Sequence, residues 1–452
     1  MLHGKTSRLL WILFALIAVT ALAFAACGDD DDDGDAPAAG ETPAEGETPA
    51  AEPPADISGA SVDVLGIWGD DELTSFEALV APWVTDTGAS MDFTGTREIT
   101  SILTTRVEGG DPPDVATPAE IGLFQQFARD GQLVPLSECA GLEEAVQANY
   151  PQGFIELGSV DGTLYGFFMK ADTKGTIFYN PGFFADNGYE PLTADASFDD
   201  LIALSDQILA DGVVAPWSHG EFANGGTGFP GTDWIQQILL NEAGGDVYDG
   251  VIDGSVPFTD PAVKDAWEKF GLASLTEGYV VQGGADIINA TVFSDATFPP
   301  FESPPTAAMN YLGGFASGMI AEQFPDAVPG EDFDFFPFPG GAVTGGATVV
   351  YAFNSDDATC SFMSHLASAE AQQVWVDLGG FTSVNTGIAL DSYPDVVARA
   401  QAEQLTTADV FRFDLDDAIG GDLQAAFFTG VTDYLADPDS LDGILQGIED
   451  AR

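Results

Sequence analysis

Positive charge is scarce in this sequence of 452 residues, which has 12 Lys and Arg residues against 73 Asp and Glu residues and a formal net charge of −61. A surface this negative repels phosphate backbones and anionic lipid headgroups, which excludes nucleic-acid binding and electrostatic docking on a membrane. The chain still has the material for packed cores, because 45% of its residues are hydrophobic and 33 are Phe. Its length fits two or three domains, or one large body with two lobes.

Histidine and the usual catalytic motifs are also scarce. The chain has three His residues, and it contains no His-Glu-x-x-His, Cys-x-x-Cys, Gly-Lys-Ser phosphate loop or Gly-x-Ser-x-Gly elbow. Glycines 226, 228 and 231 have the spacing of a dinucleotide fingerprint, but no apolar strand precedes them. We therefore expect no metal and no cofactor. A pair of carboxylates for glycoside hydrolysis stays open, because close pairs arise by chance among so many acids.

Residues 1–26 are typical of an export signal. Lys5 and Arg8 precede an apolar run from Leu9 to Phe24, which is short for a membrane span, and small residues then lead to Cys27. These small residues resemble the lipobox of bacterial lipoproteins, with Phe24 where that pattern usually has Leu, and they imply a lipid-modified Cys27. A simple secreted protein is the alternative. Residues 27–56 contain 11 acidic residues and no basic one, which predicts an extended, disordered tether.

Two cysteines remain once Cys27 is set aside. Cys139 and Cys360 form an even pair, and in an oxidising compartment such a pair is a candidate disulfide. Two buried thiols are the alternative.

Strands and helices alternate along the rest of the chain. Val62 to Trp68 predicts a strand, and the apolar residues that follow from Phe76 to Val84 have helical spacing. Similar pairs continue to Gly131, residues 164–179 are extended and aromatic, and helices dominate thereafter. Returning strands are predicted near 307–312 and 347–353. This order predicts an α/β fold with a mostly parallel sheet.

Several segments carry a family resemblance through their order and spacing. They are Gly95 to Ala116, Asp161-Gly-Thr-Leu-Tyr-Gly-Phe, Thr232-Asp-Trp-Ile, Phe335-Phe-Pro-Phe-Pro and Phe411-Arg-Phe-Asp. Together they resemble the substrate-binding proteins of bacterial ABC importers, in the branch that binds α-glucosides and related oligosaccharides. The resemblance covers nearly everything from Ser61 to Asp450. It departs at Asp416 to Gly420, where that branch usually continues with Leu-Met-Pro, and at Phe229-Pro-Gly, where Trp-Pro-Ala is common.

The resemblance implies a two-lobed α/β fold of the periplasmic-binding-protein type, with hinge strands and a ligand cleft between the lobes. It implies a first lobe of residues 57–166 and 341–378, which would contain both Cys139 and Cys360, and a second lobe of residues 167–340 and 379–452. The implied protein is a monomer and not an enzyme. It is held by its lipid on the extracytoplasmic face of the cell membrane, captures a sugar and delivers it to an ABC permease. A secreted carbohydrate-active enzyme and a binding protein for a non-sugar solute, such as a polyamine, are the alternatives.

Candidate binding residues follow from the chemistry of sugars, which need flat aromatic rings for their C–H face and charged or amide groups for their hydroxyls. Trp68 ends the first strand, where ligands gather in open α/β sheets. The few basic residues are informative because Arg97, Lys170, Lys174 and Arg412 all fall at expected cleft positions. The remaining candidates are Asp233, Trp234, Gly314, Phe315 and Phe381. For these residues, core packing, ion pairing or helix capping is the alternative.

Overall fold

The computed structural model describes residues 55–96, 99–223, 226–408 and 410–452. The predicted signal peptide, Cys27 and nearly all of the tether lie outside the described residues, as does Arg97. The strands, in chain order, are β1 (Ser61–Gly66), β2 (Ser90–Gly95), β3 (Val115–Thr117), β4 (Ser159–Val160), β5 (Thr163–Leu164), β6 (Gly166–Thr173), β7 (Thr176–Tyr179), β8 (Ala215–Ser218), β9 (Ala307–Tyr311), β10 (Asp334–Pro337), β11 (Val343–Ala352), β12 (Thr382–Ser383) and β13 (Phe411–Phe413). The α-helices are α1 (Asp70–Thr87), α2 (Ile99–Glu108), α3 (Ile121–Arg129), α4 (Leu142–Asn149), α5 (Gln152–Leu157), α6 (Pro181–Asn187), α7 (Phe198–Asp211), α8 (Phe229–Ala243), α9 (Gly245–Asp253), α10 (Pro261–Leu275), α11 (Ala285–Ala290), α12 (Phe293–Thr297), α13 (Ala316–Gln323), α14 (Asp357–Ala367), α15 (Ala369–Leu378), α16 (Val396–Thr407), α17 (Leu415–Ile419), α18 (Gly421–Ala436) and α19 (Leu441–Glu449).

Two larger sheets divide these elements into two lobes. The first sheet has the strand order β12-β6-β11-β3-β1-β2, and β13 also pairs with β11. Strand β1 runs parallel to β2 and to β3, and Gly66 lies opposite both Gly95 and Thr117, so the three strands end at one edge. The second sheet has the order β10-β7-β9-β8, with β8 parallel to β9. The predicted two-lobed α/β fold is confirmed.

Each lobe has its own core, and aromatic side chains dominate both. Trp68, Phe76 and Phe167 belong to the first core, whereas Trp217 and Trp267 belong to the second. An aromatic side chain buries about 150–250 Å² when it leaves water. The Phe-rich composition is therefore what lets one acidic chain sustain two separate cores.

Local signals in the sequence fix several helix starts. Ser197 accepts a hydrogen bond from the backbone of Asp200 and completes a capping box, and Asp260 caps α10 immediately before Pro261. Residues 357–378 form two helices and not one, because Ser368 ends α14 and caps α15 by accepting from the backbone N–H of Ala371.

Within the described residues the chain passes between the two lobes three times. Crossing 1 is residues 174–175, between β6 and β7, and crossing 2 is residues 338–342, between β10 and β11. Crossing 3 is Asp414, between β13 and α17. These short segments are the hinge of the molecule.

The crossings differ in position from the predicted lobe boundaries. The prediction ends this part of the first lobe at residue 166 and therefore places nearly all of β6 in the second lobe. Strand β6 instead pairs with β11 and β12 of the first sheet. Phe381, Tyr393 and Phe413 also pack in the first core, although the prediction gives residues 379–452 to the second lobe. Because β6 and β7 are both apolar and only Lys174 and Gly175 separate them, the hydrophobic pattern alone does not locate crossing 1.

A disulfide joins Cys139 to Cys360. Cys139 follows a short 3-10 turn and Cys360 lies on α14, and their sulfur atoms are 2.01 Å apart. Both residues pack in or against the first core, so the bond ties together parts of one lobe that are 221 residues apart in the sequence.

Candidate functional site

Four carboxylates surround one ammonium group at the hinge. We call Lys174, Asp233, Asp414, Asp416 and Asp417 the crossing cluster. Lys174 lies in crossing 1, Asp414 is crossing 3, and Asp416 and Asp417 follow it in α17. Asp233 comes from α8 of the second lobe and is completely buried. The cluster therefore joins two crossings to one helix.

Lys174 is the centre of the cluster. Its Nζ lies 2.9 Å from both carboxylate oxygens of Asp233 and 3.0 Å from an oxygen of Asp414. Thr232 donates a hydrogen bond to Asp416, and Gln424 donates one to Asp417 over 3.1 Å. Each carboxylate thus has a partner, but only one positive charge is present among the five side chains.

Burial controls the protonation of this cluster. It raises the pKa of Asp233 to about 7, against the opposing attraction of Lys174, and it raises the pKa of Asp417 to about 8. Burial also holds the pKa of Asp416 well above its ordinary value. For Lys174, burial would lower the pKa, but the charges of Asp233 and Asp414 outweigh it and hold the pKa well above its usual value. Bound protons thereby reduce the excess of negative charge.

Three carboxylates of the cluster have the spacing of metal ligands. Oxygens of Asp233, Asp414 and Asp416 lie within 4.8 Å of one another. The ammonium of Lys174 already bonds two of these three carboxylates. We therefore interpret the group as an ammonium-binding cluster and not as a metal centre.

Aromatic rings flank the other side of Lys174. Its Nζ lies 5.6 Å from the ring centroid of Phe229 and 5.9 Å from that of Phe315. Both rings are partly exposed, and Phe293 packs edge-on against Phe229 with centroids 5.0 Å apart. A Cβ atom on Gly313 would come within 2.7 Å of the Phe315 ring, so glycine allows the close approach there. These rings form an aromatic surface beside the crossing cluster.

The first lobe contributes polar atoms at the carboxyl edge of its parallel strands. Trp68 Nε1, Thr117 Oγ1, Glu120 Oε2 and Tyr351 OH are buried and have no hydrogen-bond partner among the described residues. Thr117 ends β3, and Glu120 lies close enough to Tyr351 and Asp417 for its charge to raise the pKa of each, although burial is the larger cause in both cases. Buried polar groups without partners are costly, so these atoms are suited to a polar ligand.

Thr117, Glu120 and Tyr351 are absent from the sequence prediction. The signal that points to Thr117 and Glu120 is their position directly after a predicted strand, where ligands gather in parallel sheets. The same rule selected Trp68. Glu120 is hard to select among 73 acidic residues, because an acid is informative only when its neighbours in space are known.

Three predicted aromatic candidates are packed into the cores. The Trp68 ring is 1% exposed and packs against Phe76 and Trp375, and its indole N–H is buried without a hydrogen-bond partner among the described residues. Trp234 is buried against Trp217 at 5.1 Å between ring centroids. Phe381 is likewise buried and stacks on Trp375, with centroids 4.9 Å apart.

Lys170 and Arg412, two of the predicted basic residues, lie outside the crossing cluster. Lys170 in β6 forms an ion pair of 2.7 Å with Glu72, and its Nζ lies 5.9 Å from the ring centroid of Trp375. Arg412 in β13 forms an ion pair of 2.6 Å with Asp249 of α9, which links the first sheet to the second lobe. Of the predicted residues, the structure brings together Lys174, Asp233 and Phe315, with Gly314 donating its backbone N–H to the carbonyl of Thr173 over 2.6 Å.

This fold and this interlobe site define a receptor for a small solute, and comparison with known proteins identifies its family. Residues 78–407 match the model of the bacterial extracellular solute-binding proteins, and the chain belongs to that family. Among the described residues, no helix has both the length and the apolar character needed to cross a membrane.

Curated relatives agree with this assignment, and a solved structure shares the fold. The chain is 33% identical to the osmoprotective compounds-binding protein GgtB of Synechocystis sp., over 84% of this chain and 89% of the relative. It is 30% identical to the alpha-glucosides-binding periplasmic protein AglE of Rhizobium meliloti, over 88% of each chain. The solved structure of the bacterial solute receptor AcbH, described as having an exclusive preference for β-D-galactopyranose, superposes with a TM-score of 0.71 at 18% identity, over 87% of this chain and 98% of that one. The family is thus one of solute-binding proteins and not of enzymes.

Proposed function

We propose that this protein binds a sugar, an α-glucoside or related oligosaccharide, between its lobes and delivers it to an ABC permease. The observation that carries the proposal is that each lobe contributes groups suited to a sugar. Unpartnered polar atoms of Trp68, Thr117 and Tyr351 suit sugar hydroxyls, and the rings of Phe229 and Phe315 suit a C–H face. The name of the relative AglE, an alpha-glucosides-binding periplasmic protein, supports the same class of ligand.

Capture in this proposal depends on the lobes closing over the ligand. Closure excludes water, and hydrogen bonds to sugar hydroxyls gain strength in the drier, less polar cleft. Because the buried polar atoms lack partners, a ligand that supplies hydroxyls also removes their desolvation cost. This arrangement binds the sugar, and the proposal includes no chemical step on it.

Delivery to the permease is proposed to occur from a lipid anchor at Cys27. Metabolic labelling with a radioactive fatty acid tests this part of the proposal. We expect label in the wild-type chain and none in Cys27→Ser, and an unlabelled wild-type chain would contradict the anchor.

A thermal-shift panel tests the ligand class. We expect maltose, trehalose or sucrose to raise the melting temperature, since a ligand that binds only the folded state stabilises it. Chromatography after overnight incubation should find the sugar unchanged. Turnover of the sugar would contradict the proposal and favour a carbohydrate-active enzyme.

One observation favours a second candidate, a cationic solute such as a polyamine. The carboxylates of Glu120 and Asp417 interact across the hinge region, and acidic groups suit an amine. Stabilisation by spermidine and by none of the sugars would favour this candidate.

Calorimetry with the stabilising sugar tests individual residues. We expect Arg97→Ala and Glu120→Gln to weaken binding, because each removes a charged partner for hydroxyls. Arg129→Ala, on the exposed end of α3, is the matched control and should leave the affinity unchanged. Unchanged affinity in Arg97→Ala would remove that residue from the site.

A further inference from the structure

One face of α8 is polar and buried, although helices that pack inside a lobe usually bury apolar side chains there. Asp233, Gln236 and Gln237 are each 0% exposed, and Asn241 is partly buried. Residues three and four apart lie on the same side of a helix, which places these four side chains together. Buried polar groups are stable only with hydrogen-bond partners, so the partners of this face are informative.

The first two crossings supply partners to Asp233 and Gln237. Asp233 accepts hydrogen bonds of 2.9 Å from the ammonium of Lys174 in crossing 1. Gln237 donates to the carbonyl of Ala342, at the end of crossing 2, over 2.8 Å. It also accepts from the backbone N–H of Thr344 at 3.0 Å and from its hydroxyl at 2.8 Å. Two of the three crossings are thus bonded to one helix.

The third crossing is bonded to the same face by Gln236. Its side-chain oxygen accepts from the backbone N–H of Leu415 at 2.5 Å, and its amide donates to the carboxylate of Asp414. Asn241 adds two bonds to Ala342, accepting from its N–H at 2.9 Å and donating to its carbonyl at 3.2 Å. All three crossings therefore meet on one helical face.

We propose that this face, made of Asp233, Gln236, Gln237 and Asn241, is the hinge anchor of the protein and sets the equilibrium between closed and open lobes. Lobe motion requires the backbone of the crossings to change, and the anchor stabilises one arrangement of all three. The apparent affinity for a ligand falls with the fraction of molecules in the binding-competent arrangement. The anchor thereby tunes affinity through the crossings.

The position of α8 gives the anchor a connection to the cleft. The helix begins at Phe229, whose ring lies beside Lys174 and is partly exposed. A solute that contacts Phe229 acts on the helix that holds the crossings. The proposal goes beyond solute binding itself, since it concerns the hinge of the ligand-free protein.

Amide hydrogen exchange of the ligand-free, full-length chain tests the anchor, with Gln237→Leu as the variant. The matched control is Gln372→Leu in α15. Gln372 is also 0% exposed and donates to the Tyr150 hydroxyl and the Leu366 carbonyl, over 2.8 and 2.9 Å, but these partners lie in the first lobe. Both variants lose a buried Gln with several bonds, and only one of them bonds a crossing.

We expect Gln237→Leu to speed exchange roughly tenfold at the amides of all three crossings, including those of Lys174 and Asp414, because the hydrogen bonds of Gln237 go to Ala342 and Thr344 and not to these two residues. Gln372→Leu should leave the crossings at the wild-type rate. Acceleration confined to residues 342–344, or equal acceleration in both variants, would overturn the proposal. Should Gln237→Leu not fold, the partly buried Asn241→Ala provides the same test, with roughly threefold acceleration expected at the same amides. Because no solute is present, the result does not depend on which ligand the protein binds.

Discussion

Lys174 is the residue on which the hinge charges depend most. Replacement by Met would remove the ammonium and leave the buried carboxylates of Asp233 and Asp414 without their cation. Breaking a buried pair on one side costs about 3–5 kcal/mol, so we expect Lys174→Met to lower the free energy of unfolding in urea by about that amount. Protonation of Asp233 in response would place the loss at the lower end of this range.

Lys264→Met is the control for this prediction. Lys264 forms an ion pair with Asp442 on the surface, where the Asp442 side chain is 83% exposed. Exposed pairs contribute about 0–1 kcal/mol, so this variant should be nearly as stable as the wild type. Equal losses in the two variants would contradict the role of burial.

Residue type alone predicts the site incompletely. The scarcity of bases drew attention to Lys174, because a cation in so acidic a chain is surrounded by partners. It could not separate Lys174 from Lys170, since both lie near crossing 1 and only their surroundings differ. Aromatic residues are less informative, because an aromatic ring packs in a core as readily as it stacks on a ligand. Trp68 and Trp234 are both buried in the cores.

At the scale of elements, the short helix α17 carries part of the pH dependence of the hinge, and Asp233 of α8 carries another part. Burial raises the pKa of Asp417 to about 8 from an ordinary value of 3.8, so the folded state binds a proton that the unfolded state releases. The stabilisation from this carboxyl is complete below its unfolded pKa and is lost as the pH rises through about 8. The free energy of unfolding should therefore fall between about pH 4 and about pH 8.

Asp417→Asn should flatten this dependence, because the amide resembles the protonated carboxyl at every pH. The comparison is urea unfolding of the wild type, Asp417→Asn and the control Asp199→Asn, whose side chain is exposed on α7. The control should retain the wild-type slope. A wild-type stability that rises toward pH 9 would show that the sign is wrong.

The disulfide is the other element-scale feature with a measurable effect. It links the turn before α4 to α14 across 221 residues of sequence. Removing a native disulfide typically costs about 2–5 kcal/mol, more for long loops. We expect the double variant Cys139→Ser/Cys360→Ser to unfold at a lower urea concentration than the oxidised wild type. Dithiothreitol should not affect the double variant, and coincident wild-type and variant curves would contradict the prediction.

The positions of individual helices were easier to predict from the sequence than the assignment of helices and strands to lobes. Capping signals at Ser197 and Asp260 located α7 and α10, because a cap is a local interaction. The lobe boundaries require contacts between distant segments. The hydrophobic periodicity of the sequence shows neither the pairing of β6 with β11 nor the packing of Phe413 in the first core.

The whole molecule carries far more negative charge than its ion pairs neutralise. Residues 57–452 contain 62 acidic and 10 basic residues, so basic residues are too few to pair with most of the carboxylates. Self-repulsion destabilises a compact state with so large a net charge. The buried crossing cluster is shielded from salt by the protein, whereas the surface charges are not.

Salt should consequently stabilise this protein. Raising NaCl from about 0.1 M to about 1 M shortens the Debye length from roughly 10 Å to roughly 3 Å, which screens repulsion between surface carboxylates. We expect the melting temperature to rise by a few degrees across this range, as measured by scanning calorimetry without ligand. Choline chloride at equal ionic strength should act similarly, because screening does not depend on the identity of the cation. A melting temperature that falls with salt would mean that the surface ion pairs, such as Lys264 with Asp442, stabilise the fold more than the excess of acids destabilises it.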